Sequence, residues 1–446
     1  MTIRTAPIQD RGARYGLIIG CLVVLFLLLC GALAIPFLFE SFSIKYKFGL
    51  AKALLRTGKL AGMAAALLLM VQLILASRLT WLNRLVGMDR LLTLHKANGM
   101  LIALLALAHP LLVFGPEEVT SLPLKAAYWP EIVGAGLLMG LFYQAASALF
   151  KKALGFPFHL WMRAHQLGGG LVLILLFVHL LFSSETFEVG LPRALGLLFG
   201  ALCSGVVIHR HLPVLRHLSP WRVEKVAPAG KRATRIHLQP EGKRPFRYLP
   251  GQFAFLSFPS SVVSPEEHPF TIASSPTQPN ALEFIIGKSG DWTRAMDCVR
   301  EGEPVFIDGP YGSFSHLVRA DDAPLVLIAG GIGITPMLSM IRYMNDTRDN
   351  RPVILIWSNR TPDSLFNAEE LVRIKRNHPE LSVHLLFTGA PEKERLTPET
   401  LHAFMGHLQA PQVFVCGPPP MMTAVEAMLR EIGVPAQRIH TETFGF

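Results

Sequence analysis

The distribution of apolar residues divides the chain into two unlike halves. Six long apolar stretches fill the first half, at Tyr15–Phe39, Leu50–Ala76, Leu92–Phe114, Ile132–Phe150, Trp161–Phe182 and Ala194–Ile208. A helix needs about 20 apolar residues to cross the hydrocarbon core of a bilayer, and most of these stretches are that long. The first is followed by further spans, so it is not interpreted as a cleaved signal peptide. The pattern predicts an N-terminal segment at 1–14 and six transmembrane helices over 15–208.

The second half shows two other patterns after a basic juxtamembrane linker at 209–220. Short alternating strands separated by turn residues fill 221–317, which is typical of a small antiparallel barrel. Strands then alternate with helical stretches over 318–446, as in a doubly wound parallel sheet. The predicted fold is therefore multi-domain: an all-α six-helix membrane bundle, an antiparallel β-barrel and an α/β domain.

Composition and charge fit a membrane protein. The chain has 446 residues, of which 51% are hydrophobic, and a formal net charge of +10. Basic residues cluster in alternate loops, at Arg78, Arg84, Arg90, Lys151, Lys152, Arg163, Arg210, Arg216 and Arg222. The intervening loops carry Glu117, Glu118, Glu185 and Glu188. The positive-inside rule then predicts a multi-pass protein of the cell (inner) membrane with both termini and the second half in the cytoplasm.

The sequence also argues against several other classes. No basic patch is interleaved with aromatic residues, so we expect no nucleic-acid partner. The five cysteines are scattered, which suits neither a disulfide framework nor an iron–sulfur or zinc site. No CxxCH sequence occurs, so covalent attachment of haem is not indicated.

Two of the predicted spans each carry two histidines. His95 and His109 lie in the third span, His165 and His179 in the fifth, and both pairs are 14 residues apart. On a helix this step ends about 40° off the starting direction and roughly 21 Å further along, near the other side of the bilayer. These can be separate bundle histidines bonded to carbonyls. The equal spacing favours facing pairs, His95 with His165 and His109 with His179, each holding the iron of one b-type haem.

Five motifs in the second half complete a family resemblance. They are HPFTIASSP (268–276), GDWT (290–293), GGIGITP (330–336), WSNR (357–360) and VCGPPPMM (415–422). Together with the four histidines they resemble the ferric reductase and NADPH oxidase superfamily, in particular a prokaryotic-type NADPH oxidase homologue. The resemblance covers the chain from about residue 50 to its end. It implies a six-span haem domain joined to a ferredoxin-reductase-like dehydrogenase that binds FAD and NADPH.

The first two motifs carry the residues that the resemblance assigns to FAD: His268, Pro269, Phe270, Thr271, Lys288, Gly290 and Thr293. Phe270 and Thr271 are implied beside the isoalloxazine ring. GDWT would open a helix whose amides and Thr293 meet the pyrophosphate, because helix N-termini favour anions. Lys288 either adds positive charge there or is solvated.

The residues assigned to NADPH follow strands of the predicted parallel sheet: Gly330, Gly331, Gly333, Thr335, Pro336, Ser358, Arg360, Cys416 and Gly417. The glycines lie between a strand and a helix, where they allow the backbone to approach a pyrophosphate, although GGxG is not the full GxGxxG fingerprint. Arg360 can pair with a 2′-phosphate and therefore favours NADPH over NADH. Cys416 and Gly417 are implied near the nicotinamide.

The chain ends in TETFGF. In the family a C-terminal aromatic residue shields the flavin, so Phe444 or Phe446 is the candidate, with Glu442 near the hydride path. The alternative is an unstructured tail. Cys416, Glu442 and Phe446 are thus the residues implied in catalysis.

The implied activity is electron transfer from cytoplasmic NADPH through FAD and two haems to an extracytoplasmic acceptor. The acceptor is oxygen, reduced to superoxide, or a ferric chelate, and the sequence leaves this choice open. Animal NADPH oxidases have a further histidine where this chain has Val113, and Arg193 can either attract an anionic acceptor or lie at the interface. The alternative function is a subunit that delivers electrons to a quinone or a separate protein. No obligate protein partner is expected.

Overall fold

The computed structural model describes most of the chain. Its described residues are 11–39, 47–115, 129–155, 158–182, 185–216, 221–242, 246–259, 263–264, 266–318, 321–389 and 394–443. They form two compact units, a helical one that ends at Leu212 and a mixed one that begins at Pro213.

Among the described residues, the helical unit contains eight α-helices and one 3-10 turn, and its last helix runs four residues past Leu212. They are α1 Arg11–Leu38, α2 Gly49–Ala76, α3 Thr80–Val86, α4 Met88–Phe114, α5 Trp129–Leu149, α6 Lys151–Leu154, α7 Phe158–Phe182, the turn Glu185–Phe187, and α8 Gly190–Arg216. Six of these helices are long and apolar enough to cross a membrane. The prediction of a multi-pass membrane protein is confirmed.

The predicted spans agree with these helices to within four residues at every end except one. The last helix continues to Arg216, so the first eight residues of the predicted linker are helical. The apolar pattern does not reveal this extension, because basic residues interrupt the apolar run after Ile208. Such residues are nevertheless favourable near a helix C-terminus, where they complement the helix dipole.

Apolar side chains cover the outside of the helical unit. Leu104 is 63% exposed, Leu167 77% and Ile174 62%, although all three are in the middle of long helices. Exposing such apolar side chains to water is unfavourable, whereas contact with lipid chains is not. Inside the unit, α2 packs along α4 and α5 packs along α7.

The mixed unit begins with a six-stranded antiparallel sheet. Its elements are β1 Trp221–Pro228, β2 Ala233–Pro240, β3 Phe253–Ser257, β4 His268–Thr271, β5 Leu282–Gly287, β6 Pro304–Tyr311, and the short helix α9 Asp291–Arg294 between β5 and β6. The strand order is β4-β3-β6-β1-β2-β5. An isolated bridge from Ile272 to Phe284 joins the two edges, so the sheet closes into the predicted barrel around a core that includes Ile236, Leu256 and Phe284.

A five-stranded parallel sheet follows. Its elements are β7 Leu325–Gly330, α10 Ile334–Thr347, β8 Val353–Asn359, α11 Ala368–Asn377, β9 Leu381–Phe387, α12 Pro398–Met405, β10 Gln412–Gly417, α13 Pro419–Glu431 and β11 Ile439–Thr443. The order β11-β10-β7-β8-β9 reverses direction between β7 and β10. Ligands of doubly wound sheets bind at the carboxyl ends of the strands at such a switch point. The multi-domain fold class is confirmed.

Candidate functional site

The four membrane histidines form two facing pairs. The ring centres of His95 and His165 are 6.4 Å apart, and those of His109 and His179 are 6.1 Å apart. Two imidazoles that bind one metal ion from opposite sides have ring centres about 6 Å apart, since each metal–nitrogen bond is about 2 Å long and each ring adds roughly 1 Å. Both pairs therefore fit the axial ligands of a haem.

Backbone carbonyls fix the rings of one pair. His109 Nδ1 lies 2.8 Å from the Gly58 oxygen, and His179 Nδ1 lies 3.1 Å from the Pro130 oxygen. A carbonyl only accepts hydrogen bonds, so each Nδ1 carries the proton and each Nε2 lone pair is available to a metal. These carbonyls belong to α2 and α5, which the sequence did not connect with the histidines.

Glycines beside these two rings leave the space that the rings occupy. A Cβ atom at Gly62 would lie 2.9 Å from His109 Nδ1, and one at Gly134 would lie 2.6 Å from His179 Cε1. Both distances are shorter than real Cβ contacts, so no other residue fits at either position without moving the ring.

The other histidine pair is held through its backbone. Gln72 on α2 donates to the carbonyl of His95 at 3.0 Å, and Gln144 on α5 donates to the carbonyl of His165 at 2.9 Å. Asn98 donates to the Gln72 side chain at 2.7 Å. These amides tie the helix turn that carries each histidine to the neighbouring helix.

The two helix pairs repeat one set of contacts. Gly58, Gly62 and Gln72 of α2 recur 72 positions later in α5 as Pro130, Gly134 and Gln144, and the histidines of α4 recur 70 positions later in α7. This regularity can be read from the sequence, and it is the signal that would have found the supporting residues.

Three further residues near the histidine pairs were not predicted to contribute to the site. Trp161 stacks on His165 at 5.1 Å, and the Lys151 ammonium group lies 4.7 Å from the Trp161 ring centre. At the level of the other pair, Lys59 on α2 donates to the Thr186 hydroxyl at 3.1 Å. Lys59 directly follows Gly58, so it places a positive charge near His109.

The motif HPFTIASSP (268–276), called the flavin motif below, begins on β4. The stacked rings of Phe270 and Trp292 join it to the GDWT motif. The two rings stack with centres 5.6 Å apart, and the His268 ring lies 4.2 Å from that of Trp292. The Thr271 hydroxyl is buried and has no hydrogen-bond partner within the described residues. A buried polar atom without a partner is costly, so this hydroxyl fits a contact with a bound cofactor. Pro269 lies between these residues on the same strand.

Burial lowers the pKa of His268, although its hydrogen bond to Glu266 acts in the opposite direction. Its Nε2 atom is 3.0 Å from the Glu266 carboxylate. His268 is therefore a neutral ring at physiological pH, and in that state it can stack on Trp292 without adding charge beside the flavin motif.

The turn after β5 carries the residues expected at the FAD pyrophosphate. GDWT opens the helix α9 as predicted, and the Thr293 hydroxyl accepts from the amides of Ser289 and Gly290, both at 2.9 Å. Lys288 forms an ion pair with Asp297 at 2.5 Å. This bond, with a second one from Thr234, lowers the pKa of Asp297. The Lys288 ammonium group is thus paired with a carboxylate close to this turn.

The glycine loop and the Cys416–Gly417 strand end pack against each other at the switch point. A Cβ atom at Gly333 would lie 2.3 Å from the Cys416 oxygen, and one at Gly417 would lie 3.0 Å from the Gly330 Cα atom. Thr335 and Pro336 are in the buried first turn of α10, where the Thr335 hydroxyl donates to the Ile332 carbonyl at 3.1 Å. Gly331 begins the 3-10 turn that leads into this helix.

The residues expected at the adenosine end lie one strand away. Ser358 is the register partner of Gly330 on the neighbouring strand β8, and Arg360 follows that strand with an exposed side chain. The Arg360 carbonyl accepts from the Gly389 amide at 2.8 Å, which fixes the backbone of this turn.

Glu442 lies on β11, a strand that the sequence analysis did not predict. It is the register partner of Cys416, so two of the three residues implied in catalysis are neighbours. A Cβ atom at Gly312 would lie 3.1 Å from its carboxylate, and Gly312 contacts Phe253, the register partner of Thr271. The carboxylate is thus between the flavin motif and the strand end of Cys416. Phe444 and Phe446 lie outside the described residues.

Three family models match the chain, in order. The ferric reductase like transmembrane component matches residues 61–183, the FAD-binding domain matches 222–315, and the oxidoreductase NAD-binding domain matches 327–427. Flavin and nicotinamide nucleotide binding domains thus follow a membrane domain in one polypeptide. The chain is a membrane-associated NAD(P)H oxidoreductase.

Curated relatives resemble about half of the chain. The reductase component of propane 2-monooxygenase from Mycolicibacterium smegmatis is 27% identical over 50% of this chain and 66% of its own length. The reductase subunit of glycine betaine monooxygenase from Pseudomonas aeruginosa is 32% identical over 45% of this chain and 57% of its own. The chain therefore spans less than two thirds of these relatives.

Solved structures are similar at lower identity. A cytochrome P450 reductase from Amycolatopsis is 22% identical, with a TM-score of 0.46 over 51% of this chain and 69% of its own. A flavohemoglobin from Malassezia yamatoensis is 17% identical, with a TM-score of 0.49 over 89% of this chain and 99% of its own.

Proposed function

Because its three domains match a ferric reductase/NADPH oxidase-type fusion, we propose that this protein passes electrons from NADPH through FAD and two b-type haems to an acceptor across the membrane. The acceptor is molecular oxygen, which leaves as superoxide, or chelated ferric iron. Each NADPH releases two electrons and one proton, and two acceptor molecules take one electron each. When bound, FAD takes up a hydride and the haems carry single electrons.

The observation that carries this proposal is the pair of facing histidine rings at each level of the membrane unit. Separations of 6.4 and 6.1 Å suit two bis-histidine irons, and Nδ1 bonds to Gly58 and Pro130 support ligation through Nε2 for the second pair. His95 and His165 would hold one haem and His109 and His179 the other, and the haems would supply the single-electron steps toward the acceptor.

The chain's residues bind and orient the cofactors in this reaction. We assign Phe270 and Thr271 to the flavin ring, and Gly290 and Thr293 to the FAD pyrophosphate. The glycine loop at 330–333 would receive the NADPH pyrophosphate, and Arg360 its 2′-phosphate. Cys416 and Glu442 would lie beside the nicotinamide, where they exclude water from the hydride path.

We infer that the dehydrogenase is cytoplasmic. Arg90 lies in the first turn of α4 and Arg163 in the second turn of α7, just before His95 and His165 on the same helices. Arg78 follows the end of α2, and Arg210 and Arg216 lie at the end of α8. Lys52, Arg56 and Lys59 lie at the opposite end of α2. They reduce the excess of basic residues on the side assigned to the cytoplasm, but they do not reverse it. His95 and His165 would then be the inner pair, and His109 and His179 the outer pair. We place the boundary between membrane and dehydrogenase domains after Arg216.

A visible spectrum of the detergent-purified protein, recorded without oxygen before and after NADPH addition, tests the proposal. We expect flavin bleaching followed by sharp bands of reduced b-type haem, with two haems per chain in a pyridine haemochromogen assay. Air or a ferric chelate, added separately, then identifies the acceptor by the rate of haem reoxidation. Flavin bleaching without haem reduction, or protein without haem, would refute the proposal.

A second function is favoured by the curated relatives, whose names describe a reductase component and a reductase subunit of monooxygenases. In that case the haems would deliver electrons to a quinone or a separate protein. Purified protein would then reduce its haems with NADPH but pass almost no electrons to oxygen or ferric chelate until the partner is added.

A further inference from the structure

Helix α10 docks on the segment that directly follows the flavin strand β4. The Ser339 hydroxyl donates to the Ser274 carbonyl at 2.7 Å, and Arg342 Nη1 donates to the Ala273 carbonyl at 2.7 Å. One turn further along, the Thr277 hydroxyl donates to the Asp346 carboxylate at 2.5 Å. The three helix residues are three and four positions apart, so they share one face of α10.

Arg342 is the centre of this interface. Its Nε and Nη2 atoms bind the Glu370 carboxylate at 2.6 and 2.7 Å, and Nη1 binds Glu283 of β5 at 3.0 Å. The side chain is 13% exposed. A bidentate guanidinium–carboxylate pair fixes direction as well as distance. Arg342 therefore holds α10, α11, β5 and the Ala273 backbone in one arrangement.

The position of these contacts connects the two cofactor sites. Helix α10 begins immediately after the glycine loop, and Ala273 lies two residues after Thr271. The loop and the flavin motif are on different domains of the dehydrogenase, so their separation depends on the interface between α10 and residues 273–277. Hydride transfer needs the reacting atoms about 3–3.5 Å apart, and a displacement of about 1 Å can slow a reaction roughly 100-fold.

We propose that Arg342 is a positioning residue for hydride transfer from the nicotinamide to the flavin. It acts through the Ala273 carbonyl and the Glu283 and Glu370 carboxylates, and it contacts neither cofactor. The proposal rests on the flavin and nucleotide sites assigned above, and not on the haems or the acceptor.

Arg351 provides a matched control. Its side chain is also 13% exposed, and it binds the Asp349 carboxylate at 2.9 Å and the Asp321 carbonyl at 3.1 Å. All of these residues belong to the nucleotide domain. Arg351→Lys therefore disturbs a similar buried ion pair in the same domain without touching the segment after β4.

The test uses full-length protein in detergent, mixed with NADPH without oxygen while flavin bleaching is followed by stopped flow. Arg342→Lys keeps the positive charge but cannot form the bidentate pair with the Glu370 carboxylate. We expect its limiting rate to fall 10- to 100-fold, with a change below threefold in the NADPH concentration that gives half the limiting rate. Flavin content stays that of the wild type, and Arg351→Lys reduces its flavin at the wild-type rate.

Ser339→Ala is the second variant, because it removes one bond of the same interface without leaving a buried charge unpaired. We expect a several-fold fall in its limiting rate, again without a matching change in half-saturation. Limiting rates within twofold of the wild type in both variants would overturn the proposal, as would equal losses in Arg342→Lys and Arg351→Lys. A wild-type flavin that neither NADPH nor NADH reduces would overturn the cofactor sites themselves, and with them the role of Arg342.

Discussion

On the proposed ligation, replacing Gly134 by alanine should displace His179 from the iron that it would bind. The new methyl carbon would lie 2.6 Å from His179 Cε1 and 2.8 Å from Nδ1, whereas ordinary contact begins at 3.4 Å. The ring must therefore move by 3.4 − 2.6 = 0.8 Å or more. The movement also breaks the hydrogen bond from Nδ1 to the Pro130 carbonyl.

Two effects set the size of the loss. Overpacking a filled site costs about 1–3 kcal/mol. Losing the hydrogen bond that orients a metal-bound histidine lowers metal affinity about 10- to 100-fold. We therefore expect Gly134→Ala protein to contain about one haem per chain instead of two, measured as pyridine haemochromogen against protein.

Gly136 is the control on the same helix, because a Cβ atom there meets nothing within 4 Å. Gly136→Ala should keep both haems and the wild-type spectrum. The reasoning would be wrong if Gly134→Ala also kept both haems with unchanged reduced bands, or if the two variants lost haem equally.

Three further predictions concern other parts of the chain. Arg360→Gln should raise KM for NADPH about 10- to 100-fold and leave KM for NADH unchanged, because a charge-assisted bond is worth about 1.5–3 kcal/mol. Gly168→Ala would place a Cβ atom 2.6 Å from Gln144 Nε2, so it should shift the potential of the inner haem in a redox titration. Burial lowers the pKa of His316 to about 3, with Arg351 adding to the effect. The stability of His316→Gln should therefore depend less on pH.

The sign of the His316 effect follows from proton binding. The unfolded chain binds a proton below the ordinary value of 6.5, but the native protein binds it only near 3. Stability due to neutral His316 is thus complete above 6.5 and falls toward pH 3, by at most about 1.4 kcal/mol per pH unit. Urea unfolding followed by flavin fluorescence at several pH values measures this slope. Identical slopes in the wild type and His316→Gln would contradict the prediction.

The other two predictions have their own controls. Gly170→Ala on the same helix as Gly168 meets nothing within 4 Å, so it should leave both haem potentials unchanged. Equal potentials in the Gly168 variant and the wild type would show that Gln144 does not act on this pair. For Arg360→Gln, an equal rise in KM for both nucleotides would mean that the arginine does not read the 2′-phosphate.

The sequence predicted most of the fold because its patterns are local. Six apolar stretches are sufficient to place six helices, and strand–helix alternation is sufficient for the parallel sheet. Strand β11 was missed because Ile439–Thr443 reads IHTET, which has no apolar run, and its pairing with β10 is a tertiary contact. The helical extension to Arg216 was missed because it continues beyond the apolar pattern.

The candidate site was predictable only in part. The four histidines and the glycine loop have fixed spacings that a single sequence displays. The carbonyls of Gly58 and Pro130 have no side-chain signature, and they reach the histidines only because α2 and α5 pack against α4 and α7. Lys288 shows the opposite case, since nothing in the sequence distinguishes a phosphate ligand from the partner of Asp297.

The pairing of histidines across two helices has a consequence for how the protein is made. Helix α4 supplies one ring to each facing pair and α7 supplies the other, and α7 is synthesised about 60 residues after His95 emerges. While only α2 and α4 are in the bilayer, an iron could be bound from one side alone. On the proposed ligation, haem insertion is therefore a late step of biogenesis that waits for the second half of the bundle. A nascent chain that stalls before Phe158 would be inserted in the membrane but remain colourless.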